Sequence, residues 1–405
     1  VTSDATNHTK RYGMVPGMTP PQTSHPEVSA DFVARLADRA GEAEKQRRLP
    51  QATIADYRDS GLARLLLPKR YGGCQAEFPE ILEVVRLMAH GCTSSAWTLG
   101  FYTLHNWMLA LFGEQAQDEV FADGPVLCPA PLAPTGRATR ADGGVRLAGR
   151  WSWATGIMDA DWVMVGAICG PDDAPYPALV LLPASDVHVE DVWHTAGMCA
   201  TGSNDVVVDD VWVPEHRLVA VTDIYGGTTP GAALHDAAVY RWPMVPALAL
   251  TAAMPALGSA ELVADLFARR LSERVLAYSG AAQKDQPAAQ VRLGDARVRL
   301  RALRGLAGEA AQDIQARVGS GEHIGRKVRS GARAAAAHVV HESRAVIADL
   351  LESSGASAQF LDHPLQRAKR DVDVISGHVV FDYDGSRELA GALEIGAKVS
   401  PFAMV

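Results

Sequence analysis

Residues 149–156, Gly-Arg-Trp-Ser-Trp-Ala-Thr-Gly, close a run from Val145 that follows an Asp-Gly-Gly turn, and their reading decides the fold. Val145, Leu147, Trp151 and Trp153 occupy odd positions. A strand turns successive side chains to opposite faces, so these four are expected on one face of a sheet. Later runs of the same type are DWVMVGAIC (161–169), PALVLLPAS (177–185) and DVVVDDVWVPEHRLV (205–219), each bounded by turn residues. Their β-branched and aromatic content suits a pleated, half-buried surface. Together they predict a middle β domain, a barrel or sandwich, over residues 122–228.

On either side the apolar period lengthens to that of a helix. Phe32, Leu36 and Ala40 repeat at helical spacing, and Ile54, Tyr57, Leu62 and Leu65 follow before PKRYGGC (68–74) breaks the chain. Further helices are expected from Phe78 through Met88 and from about Ser94 to Leu111, giving an N-terminal helical domain over residues 28–121. After about Pro230 the helical period returns. Leu262, Leu266, Leu271 and Val275 form one stripe, Ala/Arg-rich segments run to the break at Gly355, and a last helix is expected from Leu365 to Val380 with Asp362 as its cap. Residues 229–405 are thus expected to hold a C-terminal four-helix bundle. Residues 1–27 lack periodicity and read as a mobile tail. The fold class is α+β multidomain, in the order helices, sheet, helices.

Composition narrows the function. The 405 residues are 48% hydrophobic and 21% charged, with 47 acidic against 38 basic side chains and a net charge of −9. No block of like charges marks a nucleic-acid arm or a polybasic membrane anchor. The five cysteines are scattered and lack a Cys-x-x-Cys pair, which argues for buried reduced thiols rather than a disulfide framework or zinc site. His338 and His341 lie three apart with only Glu342 beside them, so no metal site is expected. Gly72-Gly73 lacks the lysine and serine of a phosphate loop. With no evident signal or spanning segment, a soluble cytoplasmic protein is expected.

Several stretches, in order, resemble the acyl-CoA dehydrogenase superfamily: PLAPTGRA (131–138), GRWSWATG (149–156), GMCATGSNDVVVDDVWVPEHRL (197–218) and HPLQRAKRD (363–371). The resemblance covers roughly residue 28 to the C-terminus. It implies a flavin lying along the strand that carries Trp153 and Thr155. In the commonest dehydrogenase branches a glutamate base stands nine residues after the arginine of an Arg-Asp pair. Counting from Arg370 gives Val379, and no glutamate lies between Arg370 and Glu388. Beside that position stands His378, in RDVDVISGHVVFDYD (370–384), which resembles the flavin-dependent monooxygenase branch, the oxygenase components of two-component hydroxylases acting on hydroxyphenylacetate and hydroxylated steroid fragments.

That resemblance implies an enzyme taking reduced FMN or FAD from a separate flavin reductase, reacting it with dioxygen to a flavin hydroperoxide, and hydroxylating a phenol-like aromatic. His378 is expected as the substrate base, His105 in FYTLHNW as the residue orienting substrate, and Thr155 as the hydroxyl against the flavin's central ring. Arg241 in YRWP, Arg274 in SERVLAY and Ser203 in TGSN are candidates for the flavin phosphate, because arginine forks and hydroxyls suit phosphate oxygens. A homotetramer is implied as well. The chain departs from many hydroxylases at Ala154, where a second serine is usual, and at Ala130, where some phenol hydroxylases hold a substrate-contacting serine. N- or S-oxygenation on the same scaffold, or an acyl-CoA dehydrogenase with a relocated base, are the alternatives.

Overall fold

The computed structural model describes residues 25–171, 173–275, 280–400 and 403–405. The expected mobile tail, residues 1–27, lies outside them except for 25–27. Five helices come first, α1 (Ala30–Gln46), α2 (Gln51–Asp59), α3 (Phe78–Met88), α4 (Thr93–Leu109) and α5 (Glu114–Val120). Strands β1 (Gly136–Ala141), β2 (Gly144–Ala154), β3 (Trp162–Cys169), β4 (Tyr176–Pro183), β5 (His188–Glu190), β6 (Asn204–Pro214) and β7 (Leu218–Ala220) follow. Helices α6 (Val221–Gly226), α7 (Pro230–Leu234), α8 (Met244–Glu273), α9 (Pro287–Gly319), α10 (Arg326–Glu352), α11 (Pro364–Ser376) and α12 (Tyr383–Glu394) complete the chain.

The strands form one mixed sheet in the order β5-β6-β2-β1-β3-β4-β7, in which β1 and β3 pair in parallel and the other neighbours are antiparallel. The sheet curls: Val206 and Val208 of β6 share a core with Val180 and Leu182 of β4, four strands away. Period-two alternation divides its faces. Val163, Val165 and Ala167 of β3 enter that inner core, whereas Met164, with Leu179 and Leu181 of β4, faces the helices.

The helical segments on either side of the sheet share one core. Phe32 and Leu36 of α1, Ile81 and Val85 of α3, Leu104 and Trp107 of α4, and Leu257 and Phe267 of α8 belong to a single buried cluster. Helix α4 is buried on almost every side. Helix α8 is long and apolar enough to cross a membrane, but 83% of its most apolar window is buried among its neighbours, as the central helix of a bundle should be.

Four sequence expectations need correction. Trp153 does not share the face of Leu147 and Trp151; it is 69% exposed, and Ala154 is buried instead, because β2 slips register against β6 between Trp151 and Ala154. A bulge of this kind turns the following side chains to the other face. The last helix is two: α11 stops at Ser376, a short turn spans Val379–Phe381, and α12 follows. The cap of α11 is His363, whose ring nitrogen accepts from the Leu365 N–H, rather than Asp362. On α8 the buried stripe is Val263, Ala264, Phe267 and Leu271, with Leu262 and Leu266 half-buried and Val275 exposed past the helix end. Of the cysteines, Cys74 and Cys199 are half-buried and the other three buried.

Candidate functional site

The end of β2 is an elbow held from two sides. Trp153 adopts φ 69°, a left-handed conformation that a bulky residue rarely takes, and Gly156 follows at φ 77°. The Gly156 N–H donates to the Thr201 carbonyl at 2.8 Å, and its carbonyl accepts from the buried Tyr102 hydroxyl of α4 at 2.5 Å. A Cβ at Gly156 would overlap that hydroxyl, which is why glycine stands there. The elbow leaves Thr155 half-buried and the Trp153 ring open.

From Thr155 a row of hydroxyls runs inward. The Trp97 indole N–H donates to Thr155 Oγ1 at 3.3 Å, Thr155 lies 3.0 Å from Ser203 Oγ, and Ser203 lies 2.7 Å from Thr201 Oγ1. Thr201 Oγ1 in turn donates to the Met198 carbonyl at 2.8 Å. The Met198 N–H donates to the buried Asp371 carboxylate at 2.5 Å. Burial raises the Asp371 pKa to about 6, against the opposing pull of that N–H. Arg370 donates to the Ala196 carbonyl at 2.6 Å and pairs with Glu44, so the Arg-Asp pair fastens α11 to the loop carrying Met198. Sequence reading used this pair only as a ruler toward Val379 and missed both Asp371 and Thr201.

A second feature is an aromatic stripe. Trp97, Phe101 and His105 recur every four residues on α4, with ring centroids 4.8 Å and 5.3 Å apart in succession. The His378 ring lies 5.8 Å from Trp97 and 6.0 Å from Phe381. Thr155, His378 and His105 are therefore linked through one face of α4.

The two histidines carry opposite hydrogen-bonding polarity, assigned from their partners. His105 Nδ1–H donates to the Cys128 carbonyl at 2.6 Å, which leaves Nε2 without a proton in the neutral ring. His105 is buried, and desolvation lowers its pKa to about 4. His378 Nδ1 instead accepts from the Val380 N–H at 3.2 Å, so its neutral ring carries the proton on Nε2. Desolvation by the groups packed around the His378 ring lowers its pKa to about 4. This arrangement runs against His378 as a base, because its one lone pair already accepts a backbone proton. In the neutral rings His378 therefore presents a protonated Nε2 and His105 a bare one.

The phosphate candidates are not gathered at the elbow. Ser203 is 3% exposed and committed to Thr155 and Thr201, which removes it as a phosphate hydroxyl. Arg274 donates to the Ser354 carbonyl at 3.1 Å, beside a cleft of about 400 Å³ shared with Arg269, Arg270 and His363. Arg241 is exposed at the end of the 238–241 turn, and its guanidinium has no polar partner among the described residues. Val379 is 62% exposed. His341 stacks on Tyr383 at 3.9 Å and His338 Nδ1 lies 3.0 Å from the Tyr383 hydroxyl. Among the described residues no cluster of three His, Cys, Asp or Glu side chains is placed to hold a metal.

The chain matches two profiles of one family, acyl-CoA dehydrogenase, N-terminal domain, at residues 23–123, and acyl-CoA dehydrogenase, C-terminal domain, at residues 250–383. It is 34% identical to a flavin-dependent monooxygenase, oxygenase subunit HsaA, of Rhodococcus jostii over 369 residues, covering 90% of this chain and 96% of that protein. It is 31% identical to the FADH(2)-dependent resorcinol hydroxylase, oxygenase component, of a Rhizobium species, over 93% of this chain and 97% of that one. Among solved structures, XiaF from a Streptomyces species, in complex with FADH2 and glycerol, superposes with a TM-score of 0.84 at 29% identity, over 92% of this chain and 96% of that one.

Proposed function

The chain belongs to the acyl-CoA dehydrogenase family, and on that premise we propose that it is the oxygenase component of a two-component flavin-dependent monooxygenase that hydroxylates a phenol-like aromatic. Reduced FMN or FAD would come from a separate flavin reductase, and the homotetramer and cytoplasmic setting that the family resemblance implies belong to the same proposal. The observation that carries the substrate side of this reading is the pair of histidines of opposite polarity at one aromatic face.

The elbow suits a flavin ring: Trp153 offers an open aromatic face beside a hydroxyl, and the row behind Thr155 holds that hydroxyl in place. When bound, the reduced flavin activates dioxygen and supplies the transferred oxygen atom. Thr155 and Trp153 would hold the ring, and Arg241, exposed and without a polar partner among the described residues, would meet its phosphate. The bare Nε2 of His105 accepts a hydrogen bond from the substrate's phenol and so raises the ring's electron density. His378, whose ring lies 5.8 Å from Trp97, presents an Nε2–H donor. Trp97 and Phe101 keep water from the reacting atoms. Val379 offers no group able to abstract an α-proton, which disfavours the dehydrogenase reading.

Oxygen uptake tests this with reductase-generated flavin and a panel of phenols, amines and heteroaromatic sulfides. Coupled product is expected with phenols. His105→Asn keeps the donor to the Cys128 carbonyl but loses the Nε2 acceptor, so product formation should fall by roughly tenfold or more while oxygen consumption continues as hydrogen peroxide release. Unchanged coupling in both His105→Asn and His378→Asn would remove the histidines from the reaction. Turnover of amines or sulfides alone would replace the phenol assignment.

A further inference from the structure

We infer that Thr201 and Ser203 fix the direction of the Thr155 hydroxyl, and that this direction makes the site select flavin in its reduced form. The inference rests on the proposed seat of the flavin's central ring against Thr155.

The argument is a count of protons. Three oxygen-to-oxygen contacts join Thr155, Ser203, Thr201 and the Met198 carbonyl, at 3.0, 2.7 and 2.8 Å. Each needs one proton between its oxygens, since two lone pairs facing each other at such distances repel. The carbonyl contributes none; it is itself held by the Trp193 indole N–H at 2.9 Å. Three hydroxyl protons must therefore serve three contacts. Thr201 donates to Met198, Ser203 donates to Thr201, and Thr155 donates to Ser203.

Thr155 is thus left with no proton to offer outward. One of its two lone pairs takes the Trp97 N–H, and one remains. A group lying against Thr155 gains a hydrogen bond only if it donates. Reduced isoalloxazine carries an N–H at its central N5, whereas the oxidised ring presents a bare nitrogen there, lone pair against lone pair. Thr201 and Ser203 are buried, at 1% and 3% exposure, so water does not scramble the row. They act as positioning residues, through Thr155.

Anaerobic titration of the full chain with FMN and FAD, each oxidised and dithionite-reduced, measures the ratio of the two dissociation constants. Thr201→Val keeps the shape but removes the acceptor for Ser203, whose proton then turns to Thr155 and frees the Thr155 proton to point outward. The preference for reduced flavin should fall about three- to tenfold, the order of one hydrogen bond. Ser203→Ala should do the same, and Thr201→Ser should keep the original ratio. On the unaltered protein, 5-deazaflavin, which has carbon at position 5, should lose the preference by a similar factor. A ratio unchanged within twofold in both variants, or a deazaflavin preference equal to that of natural flavin, overturns the inference while leaving the monooxygenase reading intact. Binding of neither redox form overturns that reading and the inference with it.

Discussion

Replacing Gly156 by alanine should loosen the elbow that carries Thr155, and the cost can be built from its parts. A non-glycine residue at φ 77° costs about 1–2 kcal/mol. The added Cβ would overlap the Tyr102 hydroxyl and lie 2.9 Å from Tyr102 Cε1, so a side chain only 1% exposed must shift. Overpacking of this kind costs about 1–3 kcal/mol. The displaced hydroxyl also gives up its 2.5 Å bond to the Gly156 carbonyl, about 1 kcal/mol more. The total, about 3–6 kcal/mol, is a large part of the 5–15 kcal/mol typical of a folded protein. Urea unfolding followed by circular dichroism gives the loss. A double-mutant cycle isolates its cause: Tyr102→Phe alone should cost about 1–2 kcal/mol, and the double variant should cost less than the sum by about 1–2 kcal/mol, because the nearest overlapping atom is gone and the hydrogen bond that each single variant loses can be lost only once. Reduced-flavin affinity should fall in Gly156→Ala and partly recover in the double variant. Strict additivity would refute the account of the elbow as clamped by Tyr102.

Trp153→Gly should leave stability within about 1 kcal/mol, since relief of the left-handed strain offsets the added chain freedom and the exposed ring loses little burial, while flavin affinity measured by titration drops. For His105 the folded pKa of about 4 lies below the ordinary 6.5, so between those values the unfolded chain holds the extra proton and stability is lost as pH falls. His105→Asn should remove up to about 3 kcal/mol of that acid sensitivity, read from urea midpoints between pH 6.5 and 4. Asp371, raised to about 6, works in the opposite sense and is common to both proteins, so the difference reports His105. Asp371→Ala should cost about 1–3 kcal/mol by stranding the buried Met198 N–H, and Asp371→Asn should recover most of it because the amide oxygen still accepts; equal midpoints for the two would sink this assignment.

The order of helices and strands was legible because apolar periods of 3.6 and 2 persist over long stretches, as at Phe32, Leu36 and Ala40 or in DWVMVGAIC. Alternation failed at Trp153 because a bulge is a property of two paired strands, and nothing in residues 149–156 announces where β6 slips. His105 and His378 were legible as candidates by resemblance, yet their polarity was not. It depends on Cys128 and on Val380, one 23 residues away and the other two, and on which ring nitrogen each engages. Ser203 was misread for a similar reason: a hydroxyl beside a glycine suits a phosphate until Thr155 and Thr201 are seen to occupy it. Asp371 escaped notice because its partner, the Met198 amide, lies 173 residues away.

The core that α1, α3 and α4 share with α8 bears on how the chain is made. Those first helices leave the ribosome long before residues 244–273 have been joined, and their apolar residues, Phe32, Leu36, Ile81, Val85 and Trp107 among them, have no lasting cover until the bundle arrives. The sheet carries its own core and can close as soon as β7 emerges. Contacts of such separation are slow to form, and the wait is the interval in which this chain is most exposed to aggregation. An interrupted synthesis would therefore yield a folded sheet trailing a sticky N-terminal third, a product for chaperones or proteases rather than a smaller working protein.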